Sequence, residues 1–283
     1  MQSCLLNCIS CNKITLHNQQ FTVNKFSIIK CSECGLGSTD VNSKFSSKEI
    51  YKKSYFEGGQ KDGYSNYQRS KKILRIEFNT IKNQILKYKP KLGGRLLEIG
   101  CAYGYFLETL SSLFKVYGTE ISDHAVNKCN KKGLNVINYS EFKNSKNLGF
   151  FDVVVMLDVI EHLTDPIDTF QKLSCCTKKD SLLIISTGDF GSFYSLLFRK
   201  FWRLMTPAQH LWFFNKKSIK NFLEIYGFRI ESISYPFKFV PINLIIFQIA
   251  RYIGLQKYLK SFNIPGGIYI NLFDAMRIIA RKV

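Results

Sequence analysis

A chain of 283 residues with 46% hydrophobic side chains can bury one sizeable core and a small accessory unit. No run reaches 18 apolar residues, which argues against a membrane span, and Met1–Ile14 mixes Asn, Ser, Cys and Lys, which is not a leader pattern. Nine cysteines then point to thiols or metal in a reducing cytoplasm rather than disulfides. The net charge of +19 admits two readings. One is the solvated lysines of a compositionally biased genome. The other is attraction to an anionic partner such as a nucleotide sugar, a phospholipid-linked intermediate, the inner face of a membrane, or RNA.

In chain order, residues 1–41 form the first unit. Cys8-x-x-Cys11 and Cys31-x-x-Cys34 have the spacing of two metal knuckles, with Gly35 suited to the second turn. Four thiolates complete a tetrahedron around zinc, and a site closed by four protein ligands is structural rather than catalytic. Phe21–Ile29 reads as a small hairpin with too little core to fold without metal. Cys4 makes a poorer knuckle with Cys8, and His17 reads as a surface residue. Residues 42–90 form a link in which Tyr51, Tyr55, Phe56, Tyr64 and Tyr67 are interleaved with glycines. A helix is expected over about 70–88, stopped by Pro90.

Residues 91–283 alternate short apolar runs with amphipathic ones. Strands are expected near 95–99, 115–120, 135–139, 152–157, 181–186, 228–235 and 274–282. Helices fall between most of them, for example 122–132, 165–175 and 216–226. That alternation implies an α/β domain whose parallel sheet is covered on both faces. Before the last strand, residues 236–270 read as a helical insertion. Its stretch Pro236–Phe262 holds Lys238, Arg251, Lys257 and Lys260 and no acid, with Ile245, Ile249, Tyr252 and Ile253 at helical spacing. It suits either a cover on a substrate pocket or an interfacial helix in peripheral contact with anionic lipid.

The stretch Glu98-Ile99-Gly100-Cys101-Ala102-Tyr103-Gly104 ends one apolar run and opens an amphipathic one. A glycine turn there lets backbone pass close to a ligand, and the following helix start offers free N–H donors. The next apolar run ends at Glu120, where an acid can bind ribose hydroxyls. The dinucleotide fingerprint G-x-G-x-x-G fails, because Ala102 and Tyr105 stand where the second and third glycines belong. The spacing E-x-G-x-x-x-G instead resembles the cofactor loop of class I S-adenosylmethionine-dependent methyltransferases. Further motifs occur in the order of that family: Phe151–Leu163 running into charged residues, Thr164-Asp165-Pro166, Ser181–Thr187, His210–Phe214 and Gly227-Phe228. The subgroup they resemble includes quinone O-methyltransferases and enzymes of surface-polysaccharide clusters. Ala102 departs from it where many members have a second loop glycine.

The resemblance implies a Rossmann-like seven-stranded sheet in the order 3-2-1-4-5-7-6 with the last strand antiparallel, and an aromatic lid over the cofactor pocket from 42–90. It implies S-adenosylmethionine as cofactor, with the backbone of Gly100, Cys101, Ala102 and Gly104 near its methionine part. Glu98 and Asp158 would neighbour its amino group, Glu120 the ribose, Ile121 the adenine ring, and Ser140 or Glu141 the adenine amine. His162 and His210 are the candidate bases, since an imidazole titrates near working pH. Glu161 reads as a loop-stabilising carboxylate and His124 as a surface residue. The leading expectation is O-methylation of a small-molecule or lipid-linked saccharide acceptor. The rivals are an RNA methyltransferase, disfavoured because the basic residues are dispersed and no N/D-P-P-Y-type motif is present, and a catalytically silent adaptor. The sequence carries no signal for an oligomeric state.

Overall fold

The computed structural model describes residues 3–41, 50–51, 71–89, 91–145, 150–242, 246 and 266–283. The aromatic residues Tyr55, Phe56, Tyr64 and Tyr67 of the link lie outside them, as do Arg251, Lys257, Lys260 and the helical spacing of 245–253.

The N-terminal segment is a meander of β1 (Ser3–Cys8), β2 (Lys13–Val23), β3 (Phe26–Cys31) and β4 (Gly37–Thr39), each antiparallel to the next. Its turns carry the two cysteine pairs. After helix α1 (Lys71–Tyr88) the chain alternates strand and helix: β5 (Arg95–Ile99), α2 (Tyr105–Leu110), β6 (Lys115–Glu120), α3 (Asp123–Asn130), β7 (Asn135–Asn138), α4 (Tyr139–Asn144), β8 (Phe151–Leu157), α5 (Pro166–Cys176) and β9 (Thr177–Gly188). Then follow α6 (Phe193–Phe198), the two-residue strand β10 (Trp212–Phe213), α7 (Lys216–Ile225), β11 (Phe228–Ser234), β12 (Lys238–Pro241), β13 (Gly267–Ile270) and β14 (Ala275–Lys282).

The central sheet runs β11-β14-β9-β8-β5-β6-β7. Strands β5 to β9 pair in parallel, and β14 is antiparallel to both β9 and β11. Alternate residues face opposite sides because the strand repeat is two. Leu97, Ile99, Val154 and Met156 meet Phe170 and Leu173 of α5 and Phe222 of α7 on one face. Leu96, Val153 and Val155 meet Ile81 of α1, Phe106 of α2 and Ala125 of α3 on the other. Val153 to Met156 are fully buried, each worth roughly 1.5–3 kcal/mol relative to exposure. Both faces being covered explains why these strands read as unbroken apolar runs.

Two expectations change. The insertion expected to be helical from 236 to 270 instead begins and ends as strands: β12 and β13 pair antiparallel, with Phe239 opposite Tyr269 at a ring separation of 5.4 Å. Aromatic cross-strand pairs favour this pleated arrangement over helix. His17 is buried rather than on the surface, because it shares the inward face of β2 with Thr15 and lies opposite Cys31 in register.

Candidate active site

All strands from β5 to β9 end at one edge of the sheet, and in open parallel sheets ligands bind outside the carboxyl ends. Glu98, Glu120, Asp158, His162 and the β7–α4 junction that bears Ser140 and Glu141 lie on that edge.

The β5–α2 loop is a tight left-handed bend. Gly100 has φ 74°, and a Cβ there would come within 2.5 Å of Val159 Cγ2. Gly104 has φ 73°, with Leu134 Cδ1 at 2.5 Å from where its Cβ would stand. Ala102 has φ 47°, a conformation that costs a non-glycine residue roughly 1–2 kcal/mol. Glu120 holds it there. Its Oε2 accepts from Ala102 N at 2.9 Å, and its Oε1 accepts from Ile121 N at 2.9 Å and Ser122 N at 3.0 Å. Burial raises the Glu120 pKa, while the three N–H donors oppose the rise. An ionised carboxylate offers about four lone-pair positions, so capacity for a ligand hydroxyl remains.

Glu98 is 4% exposed, and its Oε2 has no protein partner among the described residues. Burial pushes its pKa well above the carboxylate range, and Cys129 and Glu120 add to the rise. A buried orphan carboxylate beside a glycine bend is costly alone and suits a cationic group brought by a ligand. Together Glu98, the bend and Glu120 fit S-adenosylmethionine. Cys101 is buried beside Gly118, and Ile121 is half-buried. Ser140 and Glu141 are exposed, and Ser140 is engaged by its own helix cap, with N and Oγ at 2.9 and 2.8 Å from Asn138 Oδ1. Asp158 has φ 54° and sits 3.6 Å from Lys238 Nζ, a partner that sequence reasoning did not assign. His124 is half-buried on α3, with its ring 6.1 Å from that of Tyr103.

His162 and His210 come together across 48 residues of sequence, with ring centroids 4.6 Å apart. His162 Nδ1 lies 2.8 Å from both the Gln209 carbonyl oxygen and the Tyr51 hydroxyl. His210 Nδ1 lies 2.7 Å from the Leu204 carbonyl oxygen. A carbonyl only accepts, so each Nδ1 carries the proton and each Nε2 keeps its lone pair. Burial lowers both pKa values, and His162 helps to bring His210 down to about 3. Both rings are therefore neutral at neutral pH.

Glu161 lies beside them, and a carboxylate oxygen of Glu161 and one nitrogen of each ring are within 4.8 Å of one another. Burial and then Asp158 push the Glu161 pKa up to about 8. Its folded value thus exceeds its unfolded one, and stability is lost as pH rises from about 4.5 through about 8. Gln carries no charge at any pH. Glu161→Gln should therefore match the parent near pH 4 and exceed it near pH 9 by on the order of 5 kcal/mol, read by thermal melting. Equal melting at both pH values would show that the carboxyl is not held neutral.

The four cysteines converge as well. Cys8 and Cys34 sulfurs are 3.6 Å apart, Cys11 and Cys31 3.9 Å, and all four lie within 4.8 Å of one another. A tetrahedron of Zn–S bonds of about 2.3 Å has edges of about 3.8 Å, so the donors fit zinc. Without an ion the thiols resist charging together: a hydrogen bond from Cys34 lowers Cys8 to about 5, while burial raises Cys11 to about 12. Behind them, Thr15 Oγ1 lies 3.2 Å from Cys31 Sγ and 3.1 Å from His17 Nε2.

Sequence reasoning missed how this unit reaches the histidines. Strand β4 pairs antiparallel with β10, so the N-terminal sheet continues into the chain just after His210. Thr39 Oγ1 donates to the His210 carbonyl at 2.6 Å, and Thr39 N to the Leu211 carbonyl at 2.9 Å. Leu211 N donates in turn to the Glu161 carbonyl, and Asn215 Nδ2 to that of Cys34. Only the apolar run Leu211–Phe214 hinted at a strand there.

Among solved structures, the chain resembles the magnesium protoporphyrin IX methyltransferase of Synechocystis PCC 6803, solved with bound SAH, at TM-score 0.52 and 15% identity, over 83% of this chain and 100% of that one. It also resembles an S-adenosylmethionine-dependent methyltransferase of Clostridium acetobutylicum at TM-score 0.50 and 11% identity, over 76% and 97%. Both show a shared fold, that of the class I S-adenosylmethionine-dependent methyltransferases. A curated relative, the ubiquinone biosynthesis O-methyltransferase of Colwellia psychrerythraea, is 31% identical over 101 residues, 33% of this chain. The match spans only 41% of that relative's length. Residues 71–233, more than half of the sequence, match the family model described as a methyltransferase domain, and the chain belongs to that family.

Proposed function

We propose that the protein is an S-adenosylmethionine-dependent O-methyltransferase of a small or lipid-linked acceptor such as a surface-polysaccharide sugar, with structural zinc on Cys8, Cys11, Cys31 and Cys34. The observation that carries the transferase reading is the cradle of orphan Glu98, the left-handed bend at Gly100–Gly104, and Glu120 latched to that bend. The name of the Colwellia relative favours oxygen as the methylated atom. Among the described residues no helix is long and apolar enough to cross a membrane.

S-adenosylmethionine supplies a methyl group on sulfonium, already an electrophile. The protein's tasks are alignment, exclusion of water and acceptance of a proton. Glu98 would meet the amino group, Glu120 the ribose, and Ile121 the adenine ring. Asp158, Ser140 and Glu141 line the same edge. The neutral His162–His210 pair presents Nε2 lone pairs as proton acceptors for a hydroxyl. Tyr51 and the Gln209 carbonyl fix the orientation of His162, and the Leu204 carbonyl that of His210.

Glu120→Ala removes the ribose acceptor and also unlatches Ala102, so it should weaken cofactor binding by about tenfold or more and lower the melting temperature. Glu120→Gln keeps an acceptor oxygen and should recover most of the stability but not the affinity. Calorimetric titration with S-adenosylmethionine reads both. Unchanged affinity in Glu120→Ala would reject the assignment.

A further inference from the structure

Helix α6 and the turn Arg199–Phe201 after it turn their apolar side outward. Phe193 is 79% exposed, Leu196 56%, Leu197 62% and Phe201 65%. Within the helix, 193, 196 and 197 share one face, the spacing that normally points into a core. Here the inward side is already occupied. Tyr194 and Phe198 pack toward Trp202, and the buried Ser195 hydroxyl donates to the Phe190 and Ser192 carbonyls. The helix start is capped, with Ser192 Oγ accepting from Ser195 N at 3.1 Å. The outward face is therefore a fixed feature of a well-anchored helix. Single exposed apolar residues are ordinary, but a contiguous set marks an interaction surface.

The charged residues of the segment itself are of one sign. Residues 190–203 hold Arg199, Lys200 and Arg203 and no acid. Arg199 and Lys200 are exposed, and the Lys200 ammonium lies 5.1 Å from the Phe201 ring centroid. Arg203 is tied to Asp274, whose carboxylate also accepts from Trp202 Nε1. Phe273, next to Asp274 in sequence, is 61% exposed. Apolar side chains flanked by cations are the composition of a surface that enters the headgroup region of an anionic membrane. A second copy of the chain fits worse, because a two-fold interface would set Arg199 and Lys200 against their own copies with no acid between.

We propose that α6 and its following turn dock the protein on an anionic phospholipid bilayer. The segment joins β9 to the His210 loop, so docking places the catalytic edge of the sheet at the lipid surface. The inference stands whether or not the acceptor is lipid-linked.

The test is co-sedimentation of the full chain with vesicles of phosphatidylglycerol and phosphatidylcholine, against vesicles of phosphatidylcholine alone. The parent should pellet with the anionic vesicles about tenfold more than with neutral ones, and less at about 0.5 M salt. Phe193→Ser with Leu197→Ser should reduce pelleting by about tenfold, and Arg199→Gln with Lys200→Gln severalfold. Both double variants change exposed residues and should keep the parent's melting temperature and S-adenosylmethionine affinity. A parent that stays in the supernatant with anionic vesicles would overturn the proposal. So would a serine variant that still pellets like the parent, or one whose sole change is dissociation of a dimer in light scattering. Pelleting does not depend on methyl transfer, so failure of the acceptor reading leaves the docking result unchanged.

Discussion

Cys11→Ser should abolish zinc binding and, through the sheet, loosen the histidine loop. Cys11 is the half-buried member of the cluster, so its loss removes a ligand with the least damage to packing. Metal binding to such small units supplies on the order of 10 kcal/mol, more than the meander β1–β4 can replace from its own core. The consequence does not stay local. Strand β4 is the hydrogen-bonding partner of β10, and Thr39 holds the carbonyls of His210 and Leu211. Hydrogen exchange should quicken first in residues 3–41 and then in 206–214. Turnover should fall about tenfold or more, whereas S-adenosylmethionine affinity should stay within about twofold, because Glu98 and Glu120 stand on β5 and β6. Metal analysis of the parent should find one zinc per chain. A metal-free parent that is folded and fully active would end the zinc assignment. Rapid exchange confined to 3–41 would show that the brace onto His210 has no effect.

The distribution of what could be read in advance has a physical cause. Residues Val153–Met156 of β8 and Leu182–Ile185 of β9 are buried on both faces, so each is an uninterrupted apolar run and visible without knowledge of its neighbours. The bend at Gly100 and Gly104 is local chemistry, and so are the cysteine knuckles. What stayed hidden depends on distant partners. The pairing of β10 with β4 joins residues 171 or more positions apart through two residues, too short for any periodicity. His17 looked exposed because a histidine is usually placed by composition, yet its register opposite Cys31 buries it. The latch from Glu120 to Ala102 explains how an alanine is held in a left-handed position, and no local pattern announces it. The outward face of α6 is the reverse case. Its spacing is that of a core helix, and only the occupied space beneath Tyr194 and Phe198 shows that the face has nowhere inward to go.

Replacing His162 or His210 with Ala should lower the rate of methyl transfer by about 10²–10³, the range for loss of a positioned proton acceptor, with cofactor affinity unchanged. The rings touch, and each is aimed by a carbonyl at its Nδ1, so they act as one unit. The double variant should accordingly be little worse than the poorer single one. The pH dependence has a definite sign. Burial lowers both folded pKa values below the ordinary histidine value of 6.5, so the neutral, proton-accepting forms persist as pH falls through it. The acidic limb of turnover should lie below pH 6.5, not at it. The same shifts act on stability. The unfolded chain binds these protons first, so stability from His210 is present above pH 6.5 and is lost as pH falls toward about 3. His210→Ala should flatten that loss while removing turnover. Two single variants that both keep full activity, or a limb above pH 6.5, would move the proton acceptor to another residue on the same edge of the sheet.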